Sequence, residues 1–261
     1  MNVNNSLFHI HTYRCNHAEN ISDEEYVKEA IRLNASDIWF TDHAPFPGNI
    51  FGNRMKYEQL DEYLNTLTEL KKRYLKRIHI HIGLEIEYFP SFNEKGYYKT
   101  LINDPRLDIL LLGQHMAEVS SREGIKYTFE WDKDRLYEEE FLALGEAIIE
   151  GIKTGYFSFL AHPDRIYRRR KKEWTKEMND IAIKIIQSCS KADVPMEINM
   201  HSINCKGYYR PEFWKLLTPD NKTIIGLDAH SIEEMQYRYK TIRSNKITLS
   251  EASNTEEENE K

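Results

Sequence analysis

The chain has 261 residues, 40% hydrophobic and 30% charged, with a formal net charge of −6. This composition suits one globular domain with a core large enough to need no disulfide staples. It also excludes several classes. The acidic balance argues against a nucleic-acid partner, which needs a basic face for phosphates, and no run approaches the ~20 apolar residues of a membrane span or the pattern of a signal peptide. Cys15, Cys189 and Cys205 are odd in number and lack framework spacing, so free thiols in a reducing cytoplasm are expected.

In chain order, short apolar runs alternate with amphipathic segments. "SLFHI" reads as a first strand ending on His9 and His11, with His17 in the loop. Residues two apart on a strand share a face, so His9 and His11 are expected to point into one volume. Ser22 and Glu25 have the spacing of a capping box ahead of a helix. "DIWFT" leads to Asp42 and His43. Leu60, Tyr63, Leu64, Leu67, Leu70 and Tyr74 then recur at helical spacing. "IHIHIGL" leads to Glu85, and "LDILLLG" to His115. A long helix is expected over 134–155. "FSFLAH" opens "AHPD", with His162 and Asp164, and a further helix follows over 173–192. "PMEINM" leads to Asn199 and His201, and "TIIGLD" to Asp228 and His230. Ser231 and Glu234 repeat the capping-box spacing before a last helix. The polar end predicts a disordered acidic tail over 247–261, after a single domain over 1–246.

Seven strands alternating with helices imply a parallel sheet with right-handed crossovers. Every candidate strand ends in a group able to ligate a metal or bind a ligand. In parallel α/β proteins such groups gather at the carboxyl ends of strands. Convergence on one point favours a closed barrel over an open sheet. Imidazoles with a few carboxylates suit Zn, Fe or Mn better than Ca or Mg. Seven histidines exceed what one tetrahedral ion takes, so two or three ions with bridging groups are expected.

"HIH", "TDH", "GLE", "GQH", "AHPD" and "DAH", in that order between Leu7 and His230, resemble the polymerase and histidinol phosphatase (PHP) superfamily. "TDHAPFPG", "GLEIEYFP" and "LLLGQHM" look like its histidinol-phosphate phosphatase branch. The resemblance implies a distorted seven-stranded TIM-like (β/α)7 barrel holding three divalent ions, Zn, Mn or Fe. By motif, His9 and His11 would hold the first with Glu85 and Asp228. Glu85 would bridge to a second held by His115 and His162, and His17, His43 and His230 would hold the third. The implied reaction is hydrolysis of L-histidinol phosphate in histidine biosynthesis, by a monomer or small homo-oligomer. Two departures concern the substrate pocket: Leu227 stands where relatives often have Ser, and "NMHSINCKGYYRP" replaces a Thr-Ser-Gly-like turn.

Around this pool, Asp42 and Asp164 are candidates to orient ligands or relay a proton, and Arg165 to bind phosphate in a bidentate fork. Arg14, Phe46, Arg54, Asn199, His201, Lys206 and Arg210 are candidates for the substrate. Glu87 shares Glu85's parity and is its alternative, whereas His79 and His81 lie too far down the strand and read as barrel filling or outer face. "RRRKK", from Arg168 to Lys172, reads as a solvated helix start with room for a phosphate role, and Cys15 as a bystander. Other readings are a phosphatase for phosphotyrosine or nucleotides, and a non-catalytic PHP module.

Overall fold

A computed structural model describes residues 5–121, 124–170, 173–205 and 207–244. Lys206 and the expected tail at 247–261 lie outside the described residues, as does the domain end at 246.

All seven expected strands form. They are β1 (Ser6–Ile10), β2 (Asp37–His43), β3 (His79–Ile86) and β4 (Ile109–Leu112), then, after a two-stranded antiparallel hairpin of β5 (Glu118–Ser121) and β6 (Gly124–Tyr127), β7 (Phe159–Leu160), β8 (Met196–Asn199) and β9 (Thr223–Gly226). The large sheet runs β1-β2-β3-β4-β7-β8-β9, each neighbouring pair parallel. Leu227 N–H donates to Phe8 C=O at 2.8 Å, Ala229 N–H to His9 C=O at 3.1 Å and His11 N–H to Ala229 C=O at 2.9 Å. These bonds draw the last strand onto the first, and the sheet nearly closes into a barrel.

The helices are α1 (Asp23–Arg32), α2 (Leu60–Tyr74), α3 (Pro90–Glu94), α4 (Tyr97–Ile102), α5 (Lys133–Glu138), α6 (Glu140–Lys153), α7 (Lys176–Ala192), α8 (Met200–Asn204), α9 (Pro211–Trp214) and α10 (Ile232–Ser244). Two expectations need correction. The helix expected over 134–155 is two, interrupted at Glu139, whose φ of −119° stretches the turn between them. Ser22 does precede α1, but its hydroxyl makes no capping bond. The second capping box holds in part: Ser231 Oγ accepts from Glu234 N–H at 3.1 Å, while Glu234 Oε2 reaches one residue further back, to His230 N–H at 2.7 Å.

Strand alternation sorts the side chains into two layers. Ile80, Ile82, Leu84 and Ile86 of β3 face outward into the main core with the helices. Phe8, Trp39, Leu111, Phe159, Ala161 and Ile224 fill the barrel itself. His81 stacks on Trp39, ring centroids 3.7 Å apart, and contacts Asp37 Oδ1 at 3.0 Å. His79 also faces Asp37, at 3.6 Å. Both therefore belong to the end of the barrel opposite Glu85, as expected.

Beside the barrel, α6 and α7 pack so closely that a Cβ at Gly145 would stand 2.4 Å from Ile181 Cγ1. Overpacking of this kind costs about 1–3 kcal/mol. Gly145→Ala should lower the urea midpoint accordingly and leave metal content unchanged; a variant as stable as the parent would show that this contact yields freely.

Candidate metal centre

The carboxyl ends of the strands surround Glu85, the last inward-facing residue of β3 and only 1% exposed. Its Oε2 faces His43 Nδ1 at 3.0 Å, His9 Nε2 at 3.4 Å and His11 Nε2 at 3.6 Å. Its Oε1 faces His162 Nε2 at 2.8 Å and His115 Nε2 at 3.6 Å. Asp228 Oδ1 lies 3.3 Å from His11 Nε2 and 3.9 Å from His9 Nε2. On the solvent side, His230 stacks on His11 with centroids 4.1 Å apart, and His17 lies 4.6 Å from His230 and 5.3 Å from His43. All nine candidate donors thus meet in one cluster. Ligand atoms fall within 4.8 Å of one another in the sets His9–His11–Asp228, Glu85–His115–His162, His11–His43–Glu85 and His17–His43–His230.

Simple alternation does not explain how Phe8 and the adjacent His9 both turn to the barrel interior. The register with β2 slips between Leu7 and Ile10, and His9 has φ +69°. This bulge lets Phe8 plug the barrel while His9 and His11 both turn to its mouth; a regular strand would send Phe8 and His9 to opposite faces. His162 (φ +28°) and Asp228 (φ +51°) also adopt positive φ. Such backbone is disfavoured for these residue types and persists where surrounding contacts hold it.

Several buried polar atoms have no hydrogen-bond partner among the described residues: His9 Nε2, both ring nitrogens of His11, and His230 Nε2. Each unsatisfied group costs about 1–3 kcal/mol. A cation among them and the carboxylates supplies the missing partner, so the residues fit a metal centre. The protonation pattern agrees. Burial opposes ionisation of Glu85, yet His43, His115 and His9 hold its carboxyl well below the usual range. Burial likewise opposes charge on His11, but Asp228 and Asp42 raise its pKa to about 9. Burial lowers His162 to about 4 and His230 to about 2. Without ions the carboxylate charge is balanced by protons on imidazoles, and ligation requires those protons to leave.

A second ring of contacts orients the donors. Glu197, which the sequence reading missed, accepts from His9 Nδ1 at 2.6 Å, from His162 N–H at 3.0 Å and from Asn199 Nδ2 at 2.9 Å. Its signal was an acid between the apolar Met196 and Ile198 of β8. Asp42 accepts from Thr12 Oγ1 and from His43 N–H, with Oδ1 3.5 Å from His11 Nδ1, so it faces the His11 ring rather than that of His43. Glu87, the alternative to Glu85, lies outside the cluster. It accepts from His115 Nδ1 at 3.1 Å and takes a fork from Arg54 at 2.8 and 3.0 Å. Arg165 Nη2 donates to Asp228 Oδ2 at 2.6 Å and to Asn199 Oδ1 at 2.8 Å, fixing that ligand from behind.

The donors open into a cavity of about 570 Å³, also lined by Gly52, Asn53, Arg54, Met116, Arg165, Arg168, His201, Tyr208 and Glu234. Several substrate candidates lie elsewhere. All five N–H groups of Arg14 are taken by Asp23, Glu62 and Thr12. Phe46 is buried among Phe51, Phe89, Phe92 and Tyr97. Asn199 caps α8 by accepting from Ser202 N–H and binds Glu197 and Asp228. Arg210 is turned onto the carbonyls of Tyr167 and Arg170. Asp164 takes bonds from Arg210 N–H and Trp214 Nε1 rather than from His162; burial lifts its pKa to about 6. In each case a local partner holds the polar group, or packing holds the ring, away from the cavity. Cys15 is buried, and its thiol is grouped with His11 and His230 by distance alone.

The family model for the PHP domain matches residues 8–201. The chain belongs to the PHP domain family. Among curated proteins, a histidinol-phosphatase of Bacillus subtilis is 25% identical over 260 residues, spanning 89% of this chain and 96% of that one. A HisK structure from Listeria monocytogenes superposes with a TM-score of 0.70 at 19% identity, covering 90% of this chain and 99% of that one. The histidinol phosphate phosphatase HisK of Lactococcus lactis, solved with zinc, L-histidinol and phosphate, gives 0.65 at 19% identity, with 92% and 93% covered. The shared PHP fold accounts for the motif order seen along this chain.

Two variants test the second ring of this PHP domain. Glu197→Gln keeps the shape but removes the charge facing His9, and metal affinity should fall about 10- to 100-fold, read by chelator competition with elemental analysis. A Cβ at position 113 would stand 2.1 Å from Glu85 Oε1. Gly113→Ala should therefore lose metal although it removes no ligand; full occupancy in either variant would mean that the support is dispensable.

Proposed function

We propose that this PHP domain is a metal-dependent phosphomonoesterase that hydrolyses L-histidinol phosphate to L-histidinol and phosphate. The observation that carries this reading is the Glu85 cluster, nine oxygen and nitrogen donors at the mouth of a cavity sized for a small phosphoester. The names of its similar proteins support the substrate. Three divalent ions suit the donor sets, with His9, His11, Asp228 and Glu85 around one, Glu85, His115 and His162 around the second, and His17, His43 and His230 around the third. Zinc, manganese or iron fits their nitrogen-rich chemistry.

When bound, divalent ions supply Lewis acidity toward a phosphoryl oxygen and acidify water toward neutral pH. The chain's own groups do the rest. Glu85 and Asp228 hold the centre together; Arg165 and Asn199 fix Asp228, and Glu197 orients His9. His17, His43, His115 and His230 border the cavity and face the incoming phosphate. Arg54 and Arg165 add positive potential, and the closed barrel floor of Phe8, Trp39 and Phe159 excludes water from below. His201 and Tyr208 line the same cavity and border the space left for the alcohol part. No helix among the described residues is long and apolar enough to cross a membrane. A cytoplasmic, biosynthetic setting accords with the free cysteines.

Metal-loaded protein should hydrolyse L-histidinol phosphate with higher kcat/KM than p-nitrophenyl phosphate, phosphotyrosine peptide or a nucleotide. Chelation should abolish turnover, and Zn, Mn or Fe should restore it. Glu85→Gln should reduce kcat at least ~10³-fold with loss of metal, whereas Glu87→Gln, one contact removed from the centre, should cost about 10- to 100-fold. Equal loss in the two variants would put the bridging role on the wrong glutamate. Activity undiminished in metal-free protein would rule out the reaction class.

A further inference from the structure

Most charged side chains around the cavity are matched at short range. Arg54 is held by Glu87 at 2.8 Å, Arg165 by Asp228 at 2.6 Å, and Glu234 by Arg238 at 2.8 Å. Arg168 is different. It lines the same cavity, with its side chain 15% exposed, yet its nearest carboxylate among the described residues is Glu140 at 3.9 Å. Glu140 is also shared with Arg169, at 3.4 Å. Among the described residues, the one side-chain hydrogen bond of Arg168 runs from Nη2 to the backbone carbonyl of His115 at 2.9 Å. That bond aims the guanidinium along the wall that carries a metal-ligand candidate and uses one of five N–H donors.

An arginine this far from water without a close counterion is unfavourable on its own, because the charge is desolvated without compensation. Burial, with Arg169 and Arg165 close by, lowers its pKa from the usual arginine value. The arrangement suits an anion-binding position in the free protein: a guanidinium that lines the cavity, held in place by a neutral carbonyl, with N–H donors to spare. Arg165 is less suited, since its Nη2 and Nε are already engaged by Asp228, Asn199 and Ser202.

We propose that Arg168 is a phosphate-binding residue of the cavity, donating N–H groups to terminal oxygens of the phosphomonoester and of released inorganic phosphate. This deepens the phosphatase reading and rests on it for the identity of the ester. A guanidinium fork matches two phosphate oxygens, and an ammonium at the same place offers only a point charge. Arg168 would hold the phosphoryl group from the side of β7, across from the imidazoles of His17, His43 and His230.

The test measures inorganic phosphate binding by calorimetry in metal-loaded protein, with kcat and KM for p-nitrophenyl phosphate and elemental analysis alongside. Arg168→Met keeps the apolar stem and removes the charge; phosphate affinity should fall about 10- to 100-fold and KM rise by a similar factor, with metal content unchanged. Arg168→Lys should recover part of the affinity. Unchanged phosphate affinity in Arg168→Met would overturn the assignment. So would loss of metal in that variant, which would make Arg168 a support for the His115 loop. If the parent protein binds phosphate through Arg168 but hydrolyses no phosphomonoester, the anion site stands and the phosphatase reading falls.

Discussion

The architecture depends on one buried carboxylate. Glu85 is 1% exposed and is faced by five imidazoles, three on one oxygen and two on the other. A charge so placed is costly unless cations or protons compensate it. With protons alone the compensation is partial, because several ring nitrogens remain without partners. Bound cations would complete it. Metal binding and local order are therefore linked at this residue, on which the imidazoles that follow β1, β2, β4 and β7 converge.

The chain makes room for that carboxylate at the expense of regularity elsewhere. Gly113 lies against Glu85 and Gly226 against Glu197, where a Cβ would stand 2.1 and 1.6 Å from a carboxylate oxygen. A bulge at His9 and positive φ at His162 and Asp228 aim side chains that ordinary strand geometry would misdirect. Around them, Glu197, Asp42, Glu87 and Arg165 each hold one or two donors by a hydrogen bond or a charge contact. The site is thus two concentric layers, an inner pool of imidazole and carboxylate and an outer set of charges that fixes their orientation.

Much of this was readable from the residues. The strands were legible because each is a short apolar run closed by a polar group, and the donors because histidines at the ends of such runs have few structural uses. The outer set was harder. Glu197 sits two residues before Asn199 in a run dominated by its apolar neighbours, and nothing local says that it reaches His9, 188 residues away. Arginines were misjudged for the same reason. Arg14 and Arg165 look alike in sequence, but Asp23 and Glu62 claim the first, and only the folded chain brings those acids to it. The cap at Asn199 and the aromatic cluster around Phe46 likewise arise from contacts that sequence spacing does not encode. The hairpin β5–β6 was missed because its strands are only four residues long and partly exposed, with no apolar run to mark them.

The most direct test of the account is the location of bound metal in protein loaded with zinc. Anomalous diffraction from such crystals should show ions on both sides of Glu85, with Oε1 and Oε2 each about 2.0–2.2 Å from a different ion. One ion bound without Glu85, or zinc found only at surface histidines such as His79, would contradict it.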